Sequence, residues 1–415
     1  MSEETTDQPD AALELDTQPG ARAFPLMLVL RGLAFFTLMI GTTGSLHFYL
    51  GARLLRDSGA PAPVAAVGWV VLWSLYASIF VAFIGGRLLP RPVARVLQWF
   101  GFSWMGAFGL TLATVALSDL VLAAAGLVTT VTPAWHTGRA VAIAAVVLPA
   151  LVWGFATARR PMVRKVTVEV PDLHPDLDGF TVAQLSDIHI GDTLDRRFST
   201  LLRDTVNPLG ADAVVITGDM VDGSVARLRP ETAPLGEFSS THGTFFITGN
   251  HEYYSGADEW IREAQRLGMT VLHNSHRVLE RGAGRLVLAG VPDLQGGGFS
   301  PSHRPDVDAA FQGAPEGAAR VLLAHQPKFA SAARHARVGL MLSGHTHGGQ
   351  IVPFNLFVKL QQPVIAGLHV IEGVQTWTSN GTGYWGPPLR VGPRGEITLL
   401  TLRSPAKASK TGQPG

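Results

Sequence analysis

The sequence predicts an α-helical membrane bundle of about four transmembrane helices followed by a layered α/β domain. Three observations carry this reading. Four apolar runs fill the first third of the chain, each reaching about 18 residues or more, the length that crosses a hydrocarbon core as a helix. From about Val166 onward, short β-type runs alternate with amphipathic segments, the pattern of packed helix and sheet layers. The mean hydropathy of the whole chain is positive, and the apolar excess sits in that first third.

Residues 1–22 are polar, acidic and contain Pro and Gly, so they read as a disordered tail rather than a signal peptide, which would need a basic start and an immediate apolar run. A four-helix transmembrane region is expected over 23–160. Its apolar runs are roughly Phe24–Leu50, Val64–Leu89, Leu97–Val128 and Ala140–Ala158, with Trp69, Trp99, Trp135 and Trp153 near the expected interfaces, as an aromatic belt requires. With four spans, the N-terminus, the second loop and the C-terminal domain share one side of the membrane. That side carries Arg22, Arg87, Arg91, Arg95, Arg159, Arg160, Arg164 and Lys165, against Arg53, Arg56 and Arg139 on the other. The bias predicts a cytoplasmic C-terminal domain. Arg31 and Asp119 are ionisable groups inside apolar runs; they read either as a polar site within the bundle or as snorkelling and helix-end residues.

The second domain is expected over 163–403, with strands at Phe180–Leu185, Ala213–Thr217, Thr244–Thr248, Leu286–Ala289, Arg320–Ala324 and Gly339–Leu342, and helices at Arg196–Val206 and Ala257–Leu267. Residues 404–415, rich in Ser, Lys and Pro, read as a second disordered tail. The net charge of +1 gives no strong pull toward nucleic acid. There is no cysteine, which excludes disulfides, thiolate zinc sites and cysteine nucleophiles. Any metal site must use His, Asp, Glu, Asn or Gln.

Five short motifs fall at the ends of expected strands, where loops of an α/β sheet converge on a site. They are Asp187-Ile188-His189, Gly218-Asp219-Met220-Val221-Asp222, Gly249-Asn250-His251-Glu252, His325, and Gly344-His345-Thr346-His347-Gly348. In D-x-H and H-x-H the two side chains lie at i and i+2, on one side of an extended backbone, so both reach one pocket. Asp219 can bridge two metals, one through each carboxylate oxygen. Mixed imidazole and carboxylate donors suit Mn, Fe, Zn or similar ions. Two divalent ions about 3.5–4 Å apart clamp a phosphate and activate a water between them. A lone D-x-H or Gly-Asn-His is usually structural; five such motifs in order, each behind a β-run, are not.

The order D-x-H, G-D-x-x-D, G-N-H-E, H, G-H-T-H resembles the calcineurin-like metallophosphoesterase superfamily over about Val166–Leu402. Ala289-Gly290-Val291-Pro292-Asp293 and Leu323-Ala324-His325-Gln326-Pro327 look like its YkuE/YaeI-type branch, which includes proteins with N-terminal transmembrane helices. The resemblance implies an α/β/β/α sandwich. It implies one metal held by Asp187, His189, Asp219 and His347, and a second by Asp219, Asn250, His325 and His345. His251 would act as general acid or charge stabiliser, oriented by Asp222; a solvated turn is the other reading of Asp222. Glu252 departs from the Asp of many relatives without disturbing the ligands.

The expected function is hydrolysis of a phosphomonoester or phosphodiester by metal-activated water. The partners are a phosphate-ester substrate, a lipid-linked one among the candidates, and the bilayer of what is expected to be a bacterial cell membrane. The rival is a membrane sensor or scaffold that uses the phosphoesterase fold for binding only. A transport role for the bundle would rest on Arg31 and Asp119 alone. Asp293–Arg304 and Phe354–Gly367 are the expected substrate-selecting loops. Oligomeric state is not legible.

Overall fold

The computed structural model describes residues 26–405. Arg22, the tail expected over 1–22 and the stretch 406–415 lie outside the described residues. By internal contacts the chain divides into two units, one ending at Tyr49 and one beginning at Leu50.

The first unit is most of helix α1 (Leu26–Gly51). Its Thr43 hydroxyl donates to the Met39 carbonyl one turn back, 2.7 Å away, which satisfies a polar group in an apolar helix. The second unit starts with α2 (Ala62–Leu88), α3 (Arg91–Gly126) and α4 (Pro133–Ala158). Proline in the first turn opens each of these three, where its missing N–H costs nothing. All four helices are long and apolar enough to cross a membrane. Small residues set the close approach of α2 and α3: a Cβ on Gly101 would lie 2.3 Å from the Ser78 carbonyl oxygen.

Two expectations about charged residues change. Arg91, Arg95 and Arg139 sit inside helices rather than in loops, because the helices run past the apolar runs. Asp119 accepts from Arg53 at 2.8 Å and from Arg139 at 2.5 Å. Its charge is thus balanced within α3, α4 and the turn after α1.

The α/β domain is a four-layer sandwich. Its strands are β1 (Met162–Glu169), β2 (Thr181–Leu185), β3 (Ala213–Thr217), β4 (Thr244–Ile247), β5 (Thr270–Val271), β6 (Ser275–Arg281), β7 (Gly284–Gly290), β8 (Ala319–Leu323), β9 (Leu340–Ser343), β10 (Gly367–Ile371), β11 (Val374–Thr378) and β12 (Glu396–Arg403). One sheet has the order β1-β12-β2-β3-β4-β5, the other β10-β11-β9-β8-β7-β6. The centres are parallel, β2 to β5 and β7-β8-β9-β11. Val182, Val215 and Phe245 of the first sheet bury against Leu288, Val321 and Leu342 of the second.

Helices cover the outer faces: α5 (Arg196–Val206), α6 (Val225–Thr232), α7 (Asn250–Ser255) and α8 (Ala257–Arg266) accompany the first sheet. There Leu202 and Trp260 pack on Ile216 and Phe246. Short helices α9 (Gly296–Phe299), α10 (Val307–Phe311), α11 (Ala330–Ala333) and α12 (Asn355–Val358) follow the strands of the second, with Phe311 and Ala330 buried beside Val287 and Met341. Strands buried on both faces read as unbroken apolar runs, so β3 and α5 coincide with the segments read from sequence. The edge strands β1, β6, β10 and the re-entering β12 do not announce themselves that way.

Candidate metal centre

The candidate residues all come from the C-terminal ends of parallel strands, where side chains of two packed sheets face one crevice. Asp187 and His189 follow β2; Asp219 and Asp222 follow β3; Asn250 and His251 open α7 behind β4. His325 follows β8, and His345 and His347 follow β9. The structure gathers eight of them into adjoining donor groups, and Asn250 precedes His251, whose N–H bonds Asp219.

Their donor atoms form three overlapping groups: Asp187, His189 and His347; Asp219, His325 and His345; and His189, Asp222 and His251. In the first group the His189 and His347 Nε2 atoms are 3.1 Å apart, and His347 Nε2 is 3.5 Å from Asp187 Oδ1. In the second, His325 Nε2 is 3.1 Å from Asp219 Oδ2 and 3.3 Å from His345 Nδ1. Asp219 Oδ2 also lies 3.9 Å from His189 Nε2, so a single oxygen faces both groups. The other, Oδ1, accepts the His251 backbone N–H at 2.8 Å. That N–H holds the carboxylate in this orientation.

The loops differ from expectation as well. Asp187, His189, His345 and His347 have φ of 52°, 53°, 71° and 52°. They are left-handed, not extended, which is uncommon for residues other than glycine. The two histidines of H-x-H fall into different groups, whereas Asp187 and His189 of D-x-H share one. Such strain persists where the surroundings over-determine it. Here Gly249 and Gly344 let the loops touch: a Cβ on Gly249 would meet Asp219 Oδ1 at 2.2 Å, and one on Gly344 would meet Asp187 Oδ2 at 2.3 Å.

The donor set fits divalent metal ions. Atoms that ligate one ion at about 2.0–2.2 Å stand about 3 Å from each other, the spacing seen here. His189 Nδ1 lies 2.9 Å from Asp222 Oδ1 and His325 Nδ1 2.8 Å from the Thr217 carbonyl oxygen, outer partners of the kind that orient a ring and turn its Nε2 toward a metal. Asn250 Oδ1 is buried with no hydrogen-bond partner among the described residues, an orphaned acceptor of the kind that a cation satisfies. Burial and the neighbouring His325 push the His345 imidazole down to about 3. Burial, His189 and Arg390 hold His347 low as well. Both rings are neutral, with a lone pair to give. For Asp219, burial opposes ionisation, but His325 and His251 outweigh it and keep the carboxyl well below the usual range.

His251 stands at the rim. Its Nδ1 is 2.6 Å from Asp222 Oδ1, which also lies 2.9 Å from His189 Nδ1. Asp222 is thus no free turn residue; it orients two rings at once. Burial alone would lower the His251 imidazole, but Asp222 and Asp219 overcome it and raise it to about 9. Tyr254 and Trp385 pack edge-on to the His251 ring, with centroids 5.3 and 5.7 Å away. Together they border a cavity of about 580 Å³ that also reaches Phe83, Gln98 and Phe102 of α2 and α3.

Two residues escaped sequence reasoning. Glu252 is fully buried and accepts the N–H groups of Gly249, Asp219, Met220 and Val221 at 2.6–3.3 Å. It ties the Asp219 loop to the α7 loop, more than the neutral departure expected of it. Burial and the nearby Asp219 raise its carboxyl to about 7, against those N–H groups. Arg390, also buried, donates to the carbonyls of Asn380 and His347 at 2.9 and 3.1 Å. It braces the His347 loop. The glutamate could have been suspected from its place in G-N-H-E; a lone arginine after β11 gives no signal. The loop at Asn380-Gly381-Thr382 does lie at the site, for a Cβ on Gly381 would meet the Asp187 Cβ at 3.0 Å.

Arginines of the apolar helices grip the segment just after His189. Arg91 pairs with Asp192 and Glu231 at 3.3 and 2.6 Å, Arg95 with Asp195 at 3.1 Å, and Arg159 donates to the Thr193 carbonyl.

Comparison with known proteins agrees with this arrangement. Residues 180–349 match the calcineurin-like phosphoesterase family. A transmembrane protein with metallophosphoesterase domain from Bos taurus is 34% identical over 90% of this chain and 89% of its own length. Its namesake from Danio rerio is 39% identical over 61% of this chain and 60% of its own. The metallophosphoesterase YkuE of Bacillus subtilis is 29% identical over 55% of this chain and 80% of its own. With its four apolar helices and a relative aligned along nearly all of its length, the chain is a membrane protein that belongs to the metal-dependent calcineurin-like metallophosphoesterase family.

Proposed function

We propose that this protein is a membrane-anchored phosphoesterase that holds two divalent cations and hydrolyses a phosphomonoester or phosphodiester. The observation that carries the reading is the pair of donor groups meeting at Asp219 Oδ2, beside an Asn250 oxygen that has no other partner among the described residues. Asp187, His189, Asp219 and His347 would hold one cation, and Asp219, Asn250, His325 and His345 the other. When bound, such ions supply charge for the phosphoryl oxygens and a hydroxide at neutral pH.

The chain's own part is positioning and proton transfer. Asp222 anchors His251 through Nδ1, which leaves Nε2 to give its proton to the departing alkoxide. Glu252 ties the Asp219 loop to the start of α7, and Arg390 braces the His347 loop. Arg91 and Arg95 at the start of α3, with Arg159, Arg160, Arg164 and Lys165 after α4, outnumber Arg53, Arg56 and Arg139 at the opposite helix ends, which supports a cytoplasmic site, and membrane attachment makes a lipid-linked ester the first substrate class to test.

The test is turnover of bis-p-nitrophenyl phosphate by the full-length protein with Mn²⁺, together with metal analysis. Turnover that is lost on chelation and restored by metal is expected. A protein that takes up metal but turns over no ester would leave binding as its role.

A further inference from the structure

We infer that the substrate is a membrane-resident amphiphile, and that its apolar chain lies in a groove between α3 and the loop carrying α12. This rests on the phosphoesterase reading and adds the substrate's class and its route of entry.

The groove has a volume of about 390 Å³, within the range of ligand sites. Met105 and Gly109 of α3 form one wall, and Phe354 and Val358 the other; His345 and His347 of the candidate metal centre also line it. A groove of mainly apolar walls that ends on two candidate ligands is unsuited to a freely soluble, wholly polar ester. A chain with a phosphate at one end matches both parts.

Two further observations place the bilayer at this groove. Helix α3 has 36 residues, roughly 54 Å at 1.5 Å per residue. That exceeds a hydrocarbon core of about 30 Å by some sixteen residues. Arg91 and Arg95 are ion-paired to carboxylates of the α/β domain, so the first turns of α3 lie outside the hydrocarbon, and the stretch from Met105 to Gly109 follows where the helix enters it.

On the facing loop, Leu356, Phe357 and Leu360 are 59%, 62% and 80% exposed. Large apolar side chains clustered on a surface mark an interaction site. Beside a transmembrane helix their natural surroundings are acyl chains. Gly109 keeps the two walls in register, for a Cβ there would sit 2.9 Å from the Phe354 ring.

The experiment uses the full-length protein in nanodiscs, with a phosphatidic acid that carries a diazirine near the end of one acyl chain. Photolysis followed by peptide mapping is expected to label residues 105–109 and 354–358. Met105→Trp and Val358→Trp should each cut that labelling at least about fivefold. Labelling spread evenly over the lipid-facing sides of α2 to α4 would overturn the proposal, since it would report only the surrounding bilayer.

A kinetic arm uses butyl, octyl and dodecyl phosphate below their micelle-forming concentrations. KM should fall at least about tenfold along the series, as burial of successive methylenes requires, and the fall should flatten in both tryptophan variants. A KM independent of chain length would also overturn it. If no ester of any kind is turned over, the catalytic reading fails by itself, while the labelling map still decides whether the groove holds an acyl chain.

Discussion

Two histidine clusters lie in the same domain and face opposite fates. In one, His303 places Nδ1 3.1 Å from the Tyr253 hydroxyl and Nε2 3.1 Å from Asp258, while the adjacent His273 bonds the Ser302 carbonyl at 3.0 Å. Every nitrogen named there has an oxygen partner, and the cluster needs nothing further. In the other, His189 and His347 turn nitrogens on each other, as do His325 and His345, and the buried oxygen of Asn250, the residue before His251, has no partner among the described residues. What separates a packing cluster from a candidate metal centre is whether its lone pairs are already spent.

Asp219→Asn is the sharpest way to break that contrast. It removes the charge that faces both donor groups, and should lower turnover by about a thousandfold or more, on the scale of losing a metal-held nucleophile, with metal content by elemental analysis falling in parallel. Retained metal and activity would erase the distinction between the clusters.

His251→Ala comes next. Loss of a positioned general acid costs about 10²–10⁴ in rate, and metal content should stay near that of the parent protein; metal loss would instead make His251 a ligand.

Glu252→Gln tests the frame beneath the site. An amide cannot accept four N–H groups as the carboxylate does, so it should cost about 1–3 kcal/mol of stability, read as a lower melting temperature of the purified protein.

Asp222→Asn sharpens the role of the raised His251. Asp222 keeps that ring protonated to higher pH, so its loss should lower the His251 pKa and shift the alkaline limb of kcat/KM to lower pH. An unmoved limb would assign it to another group.

His303→Asn should be the mildest, changing turnover and metal content by less than about twofold, because its cluster is self-satisfied.

The contrast also explains what the sequence discloses. The candidate positions were legible because each sits directly behind a strand buried on both faces, such as Ala213–Thr217, whose apolar run marks where the chain must turn. His303 and His189 look alike as letters, yet only the second stands behind such a strand. Conformation was not legible. Nothing in D-x-H says that both residues adopt positive φ, with their N–H groups bonded to the Gly218 and Asp219 carbonyls of a distant part of the chain. Nor does an apolar run disclose that its aspartate at 119 meets Arg53 and Arg139, or that β12 returns between β1 and β2. Those pairings are made by tertiary closure, which local pattern does not encode.

Helix α4 ends at Ala158 and β1 starts at Met162, so three residues join a transmembrane segment to an edge of the catalytic sheet. A junction this short, reinforced by Arg91, Arg95 and Arg159, gives the domain no leash. It cannot swing out to sample bulk solution. Its encounters are confined to a thin shell over the bilayer.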